Sequence, residues 1–84
     1  MTEQQILEEV QKVMREHLLI TSPVELATDL TRDLQLDSLK QLTLVVELEN
    51  AFRICFDTGD EEGLVTVGDL VALIGRRLTE RPDA

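Results

Sequence analysis

Residues 33–52 read DLQLDSLKQLTLVVELENAF, and this stretch decides the class of fold. Two short polar residues, Asp37 and Ser38, precede a run of good helix formers, and either one can cap the first turn of a helix. On a helical wheel, the polar residues of the run fall on one narrow arc. That arc consists of Lys40, Thr43, Glu47 and Asn50. The pattern predicts a helix that begins at Ser38 and ends near Arg53.

The apolar side of this predicted helix is wide. An amphipathic helix in a small bundle needs an apolar stripe of only about 100° or slightly more. Here the apolar residues cover most of the circumference outside the polar arc: Leu39, Leu42, Leu44, Val45, Val46, Leu48 and Phe52. Either the helix is central and buried on two sides, or part of its apolar face serves a partner.

Two further helices are predicted, one before and one after this helix in the sequence. Thr2 and Gln5 have the spacing of a capping box, and apolar residues then recur at helical spacing, which predicts a helix over about 3–18. Thr66 and Asp69 form a second capping box. The apolar residues that follow it at helical spacing are Val67, Leu70, Val71, Ile74 and Leu78. Gly68 and Gly75 should each weaken this last helix by about 1 kcal/mol relative to alanine.

The connecting segments complete an all-α fold, a small three- to four-helix bundle with a long first loop. Residues 24–36 contain regularly spaced leucines, which predict a long loop held to the core, with one helical turn near 29–33. Residues 54–56 are predicted to be an extended connector, and residues 57–63 an acidic turn with room for a short helix. We expect one domain over 1–84, structured over about 3–79, with a frayed tail at 80–84.

Charge and composition exclude several classes of function. The chain has 84 residues, with 17 acidic and 8 basic side chains and a net charge of −9. Nucleic acids and anionic membranes select for Lys and Arg, so neither is an expected partner. The amino terminus lacks the basic start and apolar run of a signal peptide, and no apolar stretch approaches the roughly 18 residues of a membrane span. We expect a soluble, cytoplasmic monomer.

Catalytic and metal sites are not expected either. His17, the single histidine, falls on or near the apolar stripe of the first helix, which favours a packed or boundary residue over a general base. Cys55 lies between two large apolar residues and is expected to be a buried, inert thiol. The segment from Asp57 to Gly63 has its glycine one residue late for a calcium-binding loop, so a solvated acidic turn is the better interpretation.

The segment Asp33-Leu34-Gln35-Leu36-Asp37-Ser38-Leu39 and the helix after it resemble acyl carrier proteins, in the superfamily that also contains peptidyl and aryl carriers. The resemblance covers roughly residues 3–79. It implies that Ser38, flanked by Asp37 and Leu39, carries 4′-phosphopantetheine through a phosphodiester, installed from coenzyme A by a phosphopantetheinyl transferase. The terminal thiol of that arm would hold an acyl or aminoacyl group as a thioester, and the chain would not itself be an enzyme.

The resemblance also implies partners and surfaces. The partners are the transferase, an acyl- or aminoacyl-loading ligase or acyltransferase, and a ketosynthase or other condensing-type enzyme. Their expected docking surface consists of Lys40, Leu42, Thr43, Val46, Glu47 and Asn50. The expected crevice for the acyl chain is bordered by Leu44, Val45, Phe52, Ile54 and Leu70.

Three residues depart from the family pattern. Many carriers have glycine at the place of Gln35, and fatty-acid-synthesis carriers commonly have acids at the places of Lys40 and Thr43. The expected function is therefore an acyl carrier of a specialised fatty-acid- or polyketide-type pathway. Two alternatives stay open: an aminoacyl or peptidyl carrier, and an acidic helical adaptor in which Ser38 is an ordinary capping residue.

Overall fold

The computed structural model describes residues 2–57 and 59–80, and most of these are helical. In chain order the helices are α1 (Glu3–His17), α2 (Ser38–Phe52) and α3 (Val67–Glu80), with a four-residue 3₁₀ helix (Asp60–Gly63) before α3. The described part of the chain contains no β-strand, and one isolated antiparallel bridge pairs Asp29 with Thr66. The prediction of an all-α bundle with a short extra helix is confirmed. The tail predicted over 80–84 lies, from residue 81 onward, outside the described residues.

Helix α1 packs against both other helices. It begins with the predicted capping box, in which the Gln5 N–H donates to Thr2 Oγ1 (3.1 Å) and the Thr2 N–H donates to Gln5 Oε1 (2.8 Å). The side chains that it buries are Ile6, Leu7, Val10, Val13 and Met14. The apolar stripe read from the sequence is therefore the face that the bundle covers.

Helix α2 is buried on one side only. Leu44, Leu48 and Phe52 point into the core, with exposed fractions of 4%, 0% and 5%. On the opposite side Leu39, Leu42 and Val46 are 72%, 59% and 45% exposed, and we call these three residues the apolar α2 patch. The wide apolar circumference therefore reflects a core face and a separate exposed apolar face on one helix.

Helix α3 begins with the second predicted capping box. The Asp69 N–H donates to Thr66 Oγ1 (3.2 Å), and Asp69 Oδ2 accepts from the N–H groups of Thr66 (3.1 Å) and Val65 (3.0 Å). These backbone donors stabilise the carboxylate and hold the pKa of Asp69 below its ordinary value. The cap therefore contributes stability above the unfolded-state pKa, and this contribution is lost as the pH falls through the folded-state pKa.

The long first loop is tied to the start of α3 by backbone hydrogen bonds. The Gly68 N–H donates to the Leu26 carbonyl (2.8 Å), and the Val67 N–H donates to the Thr28 carbonyl (2.9 Å). In the opposite direction, the Leu30 N–H donates to the Val65 carbonyl (2.9 Å). These three bonds, which we call the loop–α3 ladder, satisfy backbone groups that would otherwise need water.

Apolar side chains of the same loop also anchor it to the hydrophobic core. Val24, Leu30 and Leu36 are buried, and Leu26 and Leu34 pack against the core from its edge. The prediction of a loop held by spaced leucines is confirmed. The predicted turn near 29–33 is also present, as an Asp33 N–H to Asp29 carbonyl hydrogen bond of 3.0 Å.

The prediction for Cys55 is wrong. Residues 54–56 form neither helix nor strand. Ile54 is buried, with 7% of its surface exposed, whereas Cys55 is exposed. Apolar neighbours in sequence therefore do not bury this thiol.

The loop–α3 ladder predicts that adding a side chain at Gly68 lowers the stability of the protein. A Cβ atom on Gly68 would lie 3.0 Å from the Leu26 carbonyl oxygen, which is a backbone atom and cannot swing aside. Gly68→Ala should therefore lower the free energy of unfolding by about 1–2 kcal/mol, although alanine is the better helix former. Urea denaturation measures this change.

Gly75→Ala is the matched control on the same helix. The nearest atom to a Cβ there is Ile6 Cδ1 at 3.7 Å, an ordinary contact, so this variant should be unchanged or more stable by up to about 1 kcal/mol. Equal stability changes in the two variants would contradict the close approach of the loop.

Candidate functional site

Ser38 is the first residue of α2 and is exposed to solvent. Asp37, rather than Ser38, caps the helix: its Oδ1 accepts from the Lys40 N–H at 2.8 Å. The Asp37 carbonyl accepts the first intrahelical bond, from the Gln41 N–H at 2.9 Å. The serine hydroxyl is therefore presented at a helix start whose capping is supplied by its neighbour.

The electrostatics of this helix start favour a negatively charged group. The first N–H groups of a helix have no acceptor within it, and only the Lys40 N–H is taken by the Asp37 cap. The N–H groups of Ser38 and Leu39 and the positive end of the helix dipole remain to stabilise an anion. The first turn of α2 contains no acidic residue, and Lys40 adds a positive charge there. The residues present fit a phosphate ester on Ser38.

The residues before Ser38 fix its position. Leu36 is buried, its N–H donates to the Leu30 carbonyl at 3.3 Å, and its own carbonyl accepts from Gln41 Nε2 at 3.2 Å. Gln35 has a φ of 53°, in the left-handed region that glycine adopts most easily. A sharp turn at Gln35 therefore places Leu36 in the core and the next two residues at the surface.

The predicted docking residues lie along the outer side of α2 but not in one uniform environment. Lys40 and Asn50 are exposed beside the apolar α2 patch, and Thr43 is half-buried with its hydroxyl donating to the Leu39 carbonyl at 3.0 Å. Glu47 lies toward α1, where its Oε2 is 3.3 Å from His17 Nδ1. Glu47 therefore faces the α1–α2 junction, and His17 is an exposed residue at the end of α1 rather than a packed one.

A small cavity opens beside the first turns of α2. It has a volume of about 40 Å³, and its lining residues are Leu30, Leu36, Gln41, Leu44, Val45, Leu64 and Leu70. Leu44, Val45 and Leu70 were predicted to border such a crevice. Phe52 and Ile54 were also predicted to border it, but they are buried in the core without lining this cavity.

Four lining residues were missed by sequence reasoning. Leu30 and Leu36 had a signal, their regular spacing in the first loop, but that signal indicated only that they are buried. Gln41 and Leu64 had none, because their meeting depends on how the loop, α2 and the segment before α3 pack together.

Two carboxylates of the acidic segment before α3 form ion pairs with an arginine of the same chain. Arg77 Nη2 lies 2.6 Å from Asp60 Oδ2 and 3.2 Å from Asp57 Oδ2, and the Asp57 N–H also donates to Asp60 Oδ2 at 2.8 Å. The hydrogen bond from Arg77, with that from Asp57, holds the pKa of Asp60 below its ordinary value. Over residues 2–57 and 59–80, no three His, Cys, Asp or Glu side chains cluster as ligands for a metal ion.

Comparison with known proteins identifies the family. Residues 4–74 match the family model described as the phosphopantetheine attachment site. The chain is 39% identical over 79 residues to an acyl carrier protein of an Exiguobacterium species (strain AT1b), which covers 93% of this chain and 100% of the relative. The chain belongs to the acyl carrier protein family. It is also 44% identical over 70 residues to the acyl carrier protein of Streptococcus pyogenes serotype M3, covering 82% of this chain and 90% of that relative.

Family membership confirms the resemblance that was read from the residues around Ser38. An acyl carrier protein is a carrier and not an enzyme, and its covalent cofactor is 4′-phosphopantetheine. In the part of this carrier that the structure describes, no helix is both long and apolar enough to cross a bilayer.

The left-handed turn before the attachment motif yields a stability prediction. A residue other than glycine costs about 1–2 kcal/mol in this conformation, and a β-branched residue tolerates it least. Gln35→Gly should therefore keep or raise the free energy of unfolding, by up to about 1 kcal/mol, since glycine also gains freedom in the unfolded chain. Gln35→Val should lower it by about 1 kcal/mol or more.

Urea denaturation of the two variants checks this difference. Because the Gln35 side chain is exposed, loss of its contacts should not explain a difference between them. A valine variant as stable as the glycine variant would contradict the turn conformation.

Proposed function

We propose that this carrier holds acyl intermediates as thioesters on a 4′-phosphopantetheine arm attached to Ser38, and passes them between enzymes of a specialised fatty-acid- or polyketide-type pathway. The observation that supports this most strongly is the placement of Ser38, exposed at the first residue of α2 with unpaired N–H groups beside it. When bound, the 4′-phosphopantetheine group would supply a flexible arm with a terminal thiol.

The chain's own residues would have separate tasks in this function. Ser38 Oγ provides the attachment oxygen, and the N–H groups of the first turn stabilise the phosphate. Asp37 caps the helix, so modification of Ser38 does not remove the cap. A phosphopantetheinyl transferase, a loading ligase or acyltransferase, and a ketosynthase-type enzyme are the proposed partners, in the cytoplasm.

Ser38→Ala should abolish loading of the cofactor and leave the fold intact. Since Asp37 supplies the cap, the free energy of unfolding should fall by at most about 1–2 kcal/mol. Intact-mass analysis after incubation with coenzyme A and a broad-specificity transferase measures loading. Ser22→Ala is the control, because Ser22 is the other serine of the chain and is exposed in the first loop. Loading of the Ser38 variant would overturn the assignment, whereas the Ser22 variant should load normally.

The cavity beside α2 is the proposed binding site for the acyl chain. Gln41 follows Ser38 by three residues, so the cavity mouth and the attachment residue lie on neighbouring parts of one helix surface. A volume of about 40 Å³ is far below the roughly 150 Å³ that accommodates a benzene molecule, so an acyl chain must widen it. The lining is almost entirely aliphatic, and leucine side chains can shift to new rotamers to make room.

Loading with an eight-carbon chain should therefore raise the melting temperature above that of the form with a bare thiol. Each kcal/mol of added stability raises the melting temperature of a domain of this size by about 4–8 °C. A two-carbon chain, too short to reach the leucines, is the control and should have little effect. Identical melting temperatures, together with unshifted NMR signals of Leu44 and Leu70, would contradict burial of the chain.

The outer side of α2 supports docking of dedicated partners. The apolar α2 patch begins one residue after Ser38 and offers apolar contact close to the arm. Lys40 stands beside it and would repel a partner that presents Arg or Lys at this place. The combination favours partners with an apolar docking surface over those that bind acidic carriers through basic patches.

Replacing Lys40 and Thr43, the two α2 residues that depart from the family pattern, with acids should let the carrier work with general fatty-acid synthesis enzymes. The variant Lys40→Asp, Thr43→Glu should raise turnover by a housekeeping fatty-acid ketosynthase several-fold above wild type, because acids would then face its basic residues. The matched control is Arg76→Asp, Thr79→Glu on α3. Those residues have the same spacing and charge change, and the Thr79 hydroxyl donates to the Gly75 carbonyl as that of Thr43 donates to Leu39. Equal turnover by wild type and both variants would contradict selection by surface charge.

A further inference from the structure

Three carboxylates belong to α2 and its cap, and each of them has a contact inside the chain. Asp37 Oδ1 accepts from a backbone N–H of the first turn at 2.8 Å. Glu49 Oε2 accepts from the Phe56 N–H at 2.9 Å, and Glu47 Oε2 lies 3.3 Å from His17 Nδ1. A partner that binds α2 through basic residues therefore has to compete with the chain's own donors for each of these carboxylates.

Lys40 has no such contact. Its side chain is exposed, and no carboxylate of the residues that the structure describes forms an ion pair with it. Glu47 stands seven residues away, about 10 Å along the helix axis, which exceeds the screening length of about 8 Å at physiological salt. Ser38 is two residues from Lys40, and residues at this spacing do not face each other on a helix. A phosphate on Ser38 would therefore leave the Lys40 ammonium available to a partner.

The surroundings of Lys40 are apolar. The apolar α2 patch lies beside it, and the Thr43 hydroxyl donates to the Leu39 carbonyl at 3.0 Å. On a chain with a net charge of −9, this side of α2 thus combines apolar side chains with one unpaired positive charge. A basic partner would meet a like charge at this place, and a second copy of the chain would be repelled by its own net charge. An apolar surface that contains a carboxylate complements it best.

We propose that the outer side of α2 docks a partner enzyme whose docking surface is apolar and carries a carboxylate that pairs with Lys40. His17 supports this arrangement, because its contact with Glu47 occupies the one carboxylate in the polar arc of α2. This inference rests on the proposed function, which requires enzymes that dock close to Ser38. The charge pair across the interface then has the opposite sign to that of an acidic carrier on a basic patch.

The test measures docking of the full chain before its arm is attached, with a fluorophore on Cys55, which is exposed and is the single cysteine of the chain. The probes are a housekeeping fatty-acid ketosynthase and variants of it in which one Arg or Lys of the basic docking patch is replaced by Glu. At least one of these variants should bind the carrier roughly threefold to tenfold more tightly than the native ketosynthase, because a repelled cation becomes a paired carboxylate. Fluorescence anisotropy gives the dissociation constants.

Lys40→Glu on the carrier should reverse this preference, so that the native ketosynthase binds more tightly than its Glu variants. The matched control is Arg76→Glu on α3, which makes the same change in net charge. Arg76 is exposed and lines grooves that contain no residue of α2, so this variant should keep the preference of wild type. Equal effects of the two substitutions would show that net charge alone acts, and would overturn the proposal.

The contribution of His17 is tested separately. His17→Ala should bind the native ketosynthase roughly twofold to fivefold more tightly than wild type, because Glu47 then becomes available to its basic residues. The double variant His17→Ala, Glu47→Gln should lose this gain. Equal affinity of His17→Ala and wild type would contradict the role given to His17.

Two further results would overturn the inference. One is that no Glu variant of the ketosynthase binds the carrier more tightly than the native enzyme. The other is self-association of the chain in sedimentation experiments that Lys40→Glu abolishes, which would assign this surface to a second copy. Both measurements use the chain without its arm. Failure of Ser38 to accept the arm is seen only by mass analysis, and it would overturn the proposed function instead.

Discussion

The loop–α3 ladder is the constraint on which the remainder of this structure depends. Its three backbone hydrogen bonds join residues 26–30 to residues 65–68 and hold a long loop that has no helix of its own. Because the loop is held there, Leu30 and Leu36 reach the core, and the sharp turn at Gln35 brings the chain out again at Asp37. Ser38 thus lies in a chain segment that is fixed at both ends: a buried leucine precedes it in the sequence, and the capped helix α2 follows.

Helix α2 carries three different surfaces. Its inner side packs into the bundle through Leu48 and Phe52, and its outer side is the apolar α2 patch. Between them, Gln41 and Val45 line the cavity. The proposed attachment, docking and cargo burial can therefore share one rigid helix, because a helix fixes the relative directions of its side chains without further support. Because the outer side of α2 is not buried, the apolar α2 patch is exposed, as the proposed docking requires.

Helix positions and caps were predictable because their signals are local. Thr2 with Gln5, and Thr66 with Asp69, specify helix starts through residues only three apart, and the structure forms both boxes. The core-facing leucines of the loop were predictable from spacing. Longer-range features were not: Gly68 was expected only to weaken α3, whereas its lack of a side chain lets the Leu26 carbonyl approach. The exposure of Cys55 and the lining of the cavity depend likewise on how separate segments pack, which no local pattern encodes.

Native-state hydrogen exchange of the ladder amides tests the central claim most directly. If backbone bonds to α3 hold the loop, the N–H groups of Leu30, Val67 and Gly68 should exchange slowly, with protection approaching that of buried amides in α1 such as Val10. Thr21 and Ser22, exposed in the same loop outside the ladder, provide the fast reference. Exchange of the Leu30 and Gly68 amides as fast as that of Thr21 would contradict the account, because the loop would then not be held where it presents Ser38.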